Sequence, residues 1–146
     1  MSTPLRRVVL HGNVAVALPP EEALTLFTPQ GERAWAPGWD PAFPAGGDAE
    51  AVPGTVFRTV AHDAETLWVV AGRTSRSISY ARVTPGDRAG TVAVACEPDG
   101  AGTRAEVMYD LTALEPDAEA ALDAFAAGYP GFLTSWERAI AGLGAP

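Results

Sequence analysis

The chain has 146 residues, and this length fits one domain with a sizeable hydrophobic core, so we predict a single domain over residues 1–146. A formal net charge of −8 argues against nucleic acid and anionic membrane surfaces as partners, because both attract clustered positive charge. All 10 basic residues are arginine, so chemistry that requires a lysine nucleophile is excluded.

The cysteine content and the hydropathy pattern indicate a cytoplasmic protein. Cys96 is the only cysteine, so no internal disulfide can form. No apolar run approaches the roughly 18 residues that a membrane-spanning helix needs. We expect no membrane span, no cofactor and no metal, and an assembly that is a monomer or a homodimer.

The first elements are a strand and two short helices. Residues 8–18 alternate between apolar residues and small or polar ones, which predicts a strand with His11 on its solvent side. Pro19 and Pro20, followed by two glutamates, then open a short helix. Thr28 and Pro29 are typical of the start of a second short helix, which we expect to reach Trp35.

The middle of the chain predicts consecutive antiparallel strands. Alternating segments separated by turn residues cover 55–61, 66–72, 77–84, 89–97 and 103–114. The loop at 45–53 could add a short edge strand, so the predicted sheet has six to seven strands. In the strands from 55 to 71 two phases stay open, since a one-residue slip would turn Arg58 and His62 inward.

The last predicted element is a long amphipathic helix over residues 117–143. Its apolar side chains recur at spacings of three and four, which places them on one face: Leu122, Phe125, Tyr129, Phe132, Leu133, Trp136, Ile140 and Leu143. Pro130 interrupts the run because it lacks a backbone N–H and disfavours helical geometry at the preceding residue. We therefore predict a kink or break between two halves, 117–127 and 130–142.

Together these elements form an α+β architecture in which a curved antiparallel sheet wraps around the C-terminal helix. The element order from Val8 to Leu143, and the segment Leu26–Pro41, LFTPQGERAWAPGWDP, resemble the START-like helix-grip superfamily, also called SRPBCC. That superfamily includes polyketide cyclase/dehydrase-like proteins, pathogenesis-related allergens, lipid-transfer domains and Hsp90 co-chaperone activators. The segment is similar to one in bacterial members. The resemblance implies a deep cavity between sheet and helix that takes an apolar small molecule, and it does not imply catalysis.

Aromatic residues on the predicted inner faces are the candidate ligand-binding residues. Three tyrosines would be the polar groups of the pocket, namely Tyr80, Tyr109 and Tyr129. The walls would be formed by Trp35, Trp39, Phe57, Trp68, Phe125, Phe132 and Trp136. The alternative interpretation is that these side chains simply fill a solid core. Glu32 and Arg33 either flank the mouth of the cavity or form a surface ion pair.

Three functions follow from this pattern. The first is a carrier or sensor of a hydrophobic or aromatic small molecule. The second is a polyketide cyclase or aromatase-like enzyme, in which a tyrosine, His62 or Arg58 moves a proton or steadies an enolate. The third is a co-chaperone-like adaptor. Inward polar groups in a large cavity would favour catalysis, a purely apolar lining would favour carriage, and a collapsed core with an exposed apolar patch would favour the adaptor.

Overall fold

A computed structural model describes residues 3–46 and 51–144. Strand β1 spans Arg7–Val16 and is followed by helix α1, Pro20–Thr25, and a 3-10 turn at Gly31–Ala34. The next strands are β2 Val56–Ala61, β3 Ala64–Arg73, β4 Ser77–Thr84, β5 Arg88–Asp99 and β6 Gly102–Ala113. A 3-10 turn at Pro116–Ala118 leads into helices α2, Glu119–Ala127, and α3, Tyr129–Ala141, and a last 3-10 turn covers Gly142–Gly144.

The strands form one curved antiparallel sheet with the order β1-β6-β5-β4-β3-β2. In the described residues the sheet has six strands, the lower of the two predicted numbers. At its β2 edge a single bridge joins Ala42 to Arg58. The predicted edge strand at 45–53 falls in part on residues 47–50, which lie outside the described residues.

The alternation of buried and exposed side chains resolves the open strand phase. Phe57 and Trp68 are buried on the inner face, whereas Arg58 and His62 are exposed. The predicted four-residue turn between these strands is shorter in the structure. The turn consists of His62 and Asp63 alone, and both residues have positive φ. A two-residue hairpin turn with this backbone conformation matches the twist of the flanking strands.

The C-terminal helix is broken, as Pro130 predicts, and the break lies at Gly128. This glycine has φ −88° and ψ 2°, and Pro130 falls in the first turn of α3, where its missing N–H costs no helical hydrogen bond. The predicted apolar face is buried or half-buried up to Ile140. Leu143 is the exception and is 46% exposed, because the α-helix ends at Ala141.

The second short helix is a 3-10 turn over Gly31–Ala34, which starts later than predicted and has Trp35 as its C-cap. The Thr28 hydroxyl accepts a hydrogen bond from the Gly31 N–H at 3.0 Å, which is the predicted cap. Gly31 packs so closely that a Cβ there would lie 1.8 Å from the carbonyl oxygen of Thr25. This contact fixes where the following residues, including Glu32 and Trp35, can lie.

Candidate ligand-binding cavity

A cavity of about 340 Å³ lies between the inner face of the sheet, helix α3 and the segment around the Gly31–Ala34 turn. Seven of the ten predicted residues line it: Trp35, Trp39, Trp68, Tyr80, Tyr109, Phe132 and Trp136. These include all 4 tryptophans of the chain. Further lining residues outside the ten predicted ones are Phe27, Ala36, Pro37, Arg82, Val92, Val94, Ser135 and Ala139.

The other three predicted residues lie behind the cavity wall and not at its surface. Phe57 is fully buried and stacks parallel to Trp68 at a centroid distance of 5.6 Å. Phe125 packs against Tyr109 at 5.4 Å. The Tyr129 hydroxyl donates to the backbone oxygen of Val107 at 2.8 Å, so its polar group is occupied within the core.

Two of the tryptophan rings are each held by a hydrogen bond from the indole N–H to a backbone oxygen. Trp35 Nε1 donates to Leu26 O and Trp39 Nε1 to Pro29 O, each at 2.8 Å. Since a buried indole N–H needs a partner, these bonds leave the apolar faces free to form the wall. Trp136 extends the wall from α3, with its ring 5.3 Å from that of Trp35.

Two tyrosine side chains reach the cavity from β4 and β6, the strands on either side of β5, and their hydroxyls differ in their bonding. Tyr80 on β4 donates to the backbone oxygen of Phe27 at 2.7 Å, which ties the sheet to the end of α1. Among the described residues, the Tyr109 hydroxyl on β6 has no hydrogen-bond partner. Burial, and then the nearby Glu32 carboxyl, raise the pKa of both tyrosines, so both hydroxyls stay protonated, and that of Tyr109 can donate to a ligand.

Glu32 lines the cavity, and the surface ion pair with Arg33 is not formed. Arg33 instead contacts Asp40 at 2.7 Å on the outside. Burial raises the pKa of the Glu32 carboxyl well above its usual range, because desolvation disfavours the charged form. Within the part of the chain that the structure describes, this carboxyl has neither a hydrogen bond nor an ion pair.

Arg82 is the cavity residue that the sequence analysis missed. It follows Ile78 and Tyr80 on the inner face of β4, and the same alternation could have placed it there. Its guanidinium lies over the Trp68 ring, 5.1 Å from the centroid, and Nη2 donates to Thr84 Oγ1 at 2.7 Å. Burial lowers the pKa of Arg82, yet an arginine stays charged at neutral pH.

The residues suggested for proton transfer outside the aromatic set lie away from this cavity. Arg58 faces outward, 3.9 Å from Glu65, and His62 is exposed in the β2–β3 turn. His11 is exposed on β1, and burial raises the pKa of the Cys96 thiol to about 11, which leaves it unreactive near neutrality. Across residues 3–46 and 51–144, no three His, Cys, Asp or Glu side chains come close enough to hold a metal ion.

Comparison with solved structures shows the same fold in proteins of low sequence identity. A protein from Mesorhizobium loti, MLL2253, matches with a TM-score of 0.64 and 20% identity over 92% of this chain and 96% of its own. Truncated norcoclaurine synthase from Thalictrum flavum matches with a TM-score of 0.70 and 14% identity, over 98% of this chain and 96% of that one. The allergen Ara h 8.0201 matches with a TM-score of 0.63 and 13% identity, over 94% and 99% of the two chains.

The chain has the helix-grip fold that the resemblance predicted. No family model and no curated protein matches the sequence. The helix-grip architecture explains where the cavity lies, because α3 packs against the edge strand β1 and the cavity lies between α3 and the inner face of the other strands. No helix in the described residues is long and apolar enough to cross a membrane.

Proposed function

We propose that this protein binds a small molecule with an aromatic or otherwise apolar body between the sheet and α3, as a carrier or sensor. The observation that carries the proposal is the cavity of about 340 Å³ walled by the 4 tryptophans. Its volume falls at the lower end of the roughly 300–1,000 Å³ of typical ligand pockets. The polar groups that reach it are few, as expected of a site that orients one ligand.

Two further points support this proposal. Norcoclaurine synthase from Thalictrum flavum has been solved in complex with dopamine and hydroxybenzaldehyde, and both compounds are small and aromatic. The walls of the present cavity are rigid, because Trp35 and Trp39 are each anchored to a backbone oxygen. A rigid, preformed pocket binds without the cost of ordering its own side chains.

Native mass spectrometry of protein purified from its source would test the proposal. We expect a retained small molecule on the wild-type protein and none on Ala139→Phe, since the added ring would occupy the cavity beside Trp136. Ala127→Phe on the exposed surface of α2 is the matched control and should keep the adduct. The proposal would be wrong if the wild-type protein carries nothing and a panel of aromatic probes leaves its tryptophan fluorescence unchanged.

A cyclase-like or aromatase-like enzyme is the second candidate, and Glu32 is the observation that favours it. Burial raises the pKa of the Glu32 carboxyl and so makes its carboxylate form a stronger base, and the Tyr109 hydroxyl, which has no partner among the described residues, could donate to a carbonyl oxygen of the same substrate. In such a step the ionised Glu32 carboxylate would take a proton from carbon and become the neutral acid, while the electron pair of the C–H bond moves toward the carbonyl oxygen and forms an enolate.

Deuterium exchange into 2-tetralone, an aromatic ketone with acidic C–H groups, would test this second candidate. We expect the wild-type protein to accelerate exchange in D2O, as followed by proton NMR, and Glu32→Gln to lose the acceleration. Glu106→Gln, on the exposed side of β6, is the control. If exchange in the presence of the wild-type protein is no faster than in buffer, the enzyme candidate is wrong and small-molecule binding remains the proposed function.

The adaptor hypothesis has less support. An apolar patch does lie on the outer side of β2 and β3, where Val56, Val60, Leu67 and Val69 are 37–62% exposed. The interior beneath it is not collapsed, so the cavity favours a small-molecule ligand. The proposal also keeps the expectations of a cytoplasmic protein and of a monomer or homodimer, which come from the sequence.

A further inference from the structure

Arg82 brings a positive charge into the cavity without a carboxylate beside it. In the described residues no Asp or Glu oxygen lies within ion-pair distance of its guanidinium. Its Nε is buried and has no hydrogen-bond acceptor there, and its single hydrogen bond is the one from Nη2 to Thr84 Oγ1. A buried charge with unsatisfied donors is costly, so its presence calls for a compensating group.

The acidic residues nearest to Arg82 do not supply that group. Asp87 is bonded to Arg88 at 3.0 Å. Glu32 lines the same cavity but is not paired with Arg82, and burial favours its neutral form. The cavity therefore has positive charge inside a protein whose overall formal charge is −8.

The guanidinium is also held in place before any ligand arrives. The Trp68 face lies against it, and Thr84 Oγ1, which is bonded to Thr66 Oγ1 at 2.5 Å, accepts from Nη2. Weakly hydrated guanidinium groups that stack on aromatic rings suit the binding of carboxylates, because their planar donors match the two oxygens. An arginine fixed in this way meets a ligand anion at little cost in side-chain entropy.

We infer that the ligand is an aromatic acid, with its ring between the tryptophans and its carboxylate on the Arg82 guanidinium. The inference rests on the proposed function and narrows its ligand class. In this arrangement Trp35 and Trp136 contact the ring of the ligand, and Arg82 binds its carboxylate. The Tyr109 hydroxyl can donate to a carboxylate oxygen as well, since it has no other partner in the described residues.

Isothermal titration calorimetry with 2-naphthoate and 2-naphthamide at neutral pH would test the inference. The two probes share their ring system and differ in charge. We expect the wild-type protein to bind the carboxylate about tenfold or more tightly than the amide, as a charge-assisted hydrogen bond implies. Arg82→Gln should abolish this preference while the amide affinity stays within about twofold.

Two further variants control the experiment. Arg76→Gln removes an exposed arginine just before β4 and should leave both affinities unchanged. Arg82→Lys keeps the charge but not the planar donors, so we expect a reduced preference for the carboxylate. Thermal unfolding of each variant checks that it is folded, and the comparison of the two probes on the wild-type protein needs no variant.

The outcomes separate this inference from the proposal on which it rests. Equal binding of both probes to the wild-type protein, or a preference that survives in Arg82→Gln, would overturn the aromatic acid while leaving small-molecule binding in place. Binding of neither probe, together with the absence of a retained molecule in native mass spectrometry, would overturn both.

Discussion

The three inner tyrosines have two different roles, which the hydrogen bonding of their hydroxyl groups defines. Tyr80 and Tyr129 donate to the backbone oxygens of Phe27 and Val107, so they connect elements of the fold. Tyr109 has the same burial, yet its hydroxyl faces the cavity without a partner among the described residues. The first two are structural, whereas the third is available to a ligand.

This difference predicts opposite effects of removing a hydroxyl. Tyr129→Phe should lower the free energy of unfolding by about 1–3 kcal/mol, because Val107 O loses its partner in the core. Tyr109→Phe should change it by less than about 0.5 kcal/mol and weaken the binding of 2-naphthoate. Urea unfolding and calorimetry measure the two effects. An equal loss of stability in both variants would mean that Tyr109 has a structural hydrogen bond.

Single residues also show how much of the cavity can be predicted from the sequence. Alternation along the strands predicts the inward positions of Trp68, Tyr80 and Tyr109, because a buried sheet face imposes a period of two. The same period would have placed Arg82 inward, but a charged residue is normally assigned to solvent. Glu32 could not be predicted in this way, since a short 3-10 turn has no repeating pattern from which to read a direction.

At the level of elements, proline chemistry predicts the break in the C-terminal helix, and the observed break at Gly128 lies between the two predicted halves, 117–127 and 130–142. The missing N–H of Pro130 is harmless only in the first turn of a helix, so α3 begins at Tyr129, one residue before the predicted start. The ends of the short helices are less predictable. The segment after Thr28 forms a 3-10 turn because Gly31 must pack against the carbonyl of Thr25.

The Gly31–Ala34 turn positions Glu32 and Trp35 at the cavity, so the packing of Gly31 affects the cavity wall. Gly31→Ala would place a Cβ 1.8 Å from Thr25 O, a backbone atom that cannot move aside. We expect a loss of stability of about 2 kcal/mol or more, together with weaker ligand binding, because the turn must shift. Thermal unfolding and probe titration measure both.

Gly131 in α3 is the matched control for that substitution. A Cβ there would meet no atom within 4 Å, and the residue is helical. Gly131→Ala should therefore stabilise the protein by about 0.5–1 kcal/mol and leave probe binding unchanged. If Gly31→Ala behaves like Gly131→Ala, the close contact with Thr25 does not position the cavity wall.

For the whole molecule, the protonation of Glu32 connects the cavity to the pH dependence of stability. Burial raises the pKa of this carboxyl in the folded state well above its usual value of 4.5 in the unfolded chain. Between these two pKa values the folded state binds more protons than the unfolded state, so stability falls as pH rises through this window. The neighbouring Tyr80 and Tyr109 hydroxyls stay neutral and Arg82 stays charged, so these groups do not titrate there.

Glu32→Gln removes this titratable group, so the free energy of unfolding should depend less on pH within the same window. Relative to the wild-type protein, the variant should gain stability steadily as pH rises from the acidic end of the window, because it no longer buries a carboxylate. Denaturant unfolding at a series of pH values measures the difference. Glu106→Gln removes the same formal charge from the exposed side of β6, so it corrects for the general repulsion in a chain of net charge −8. Parallel profiles for Glu32→Gln and the wild-type protein would mean that the Glu32 carboxyl is solvated and is not held in the cavity wall.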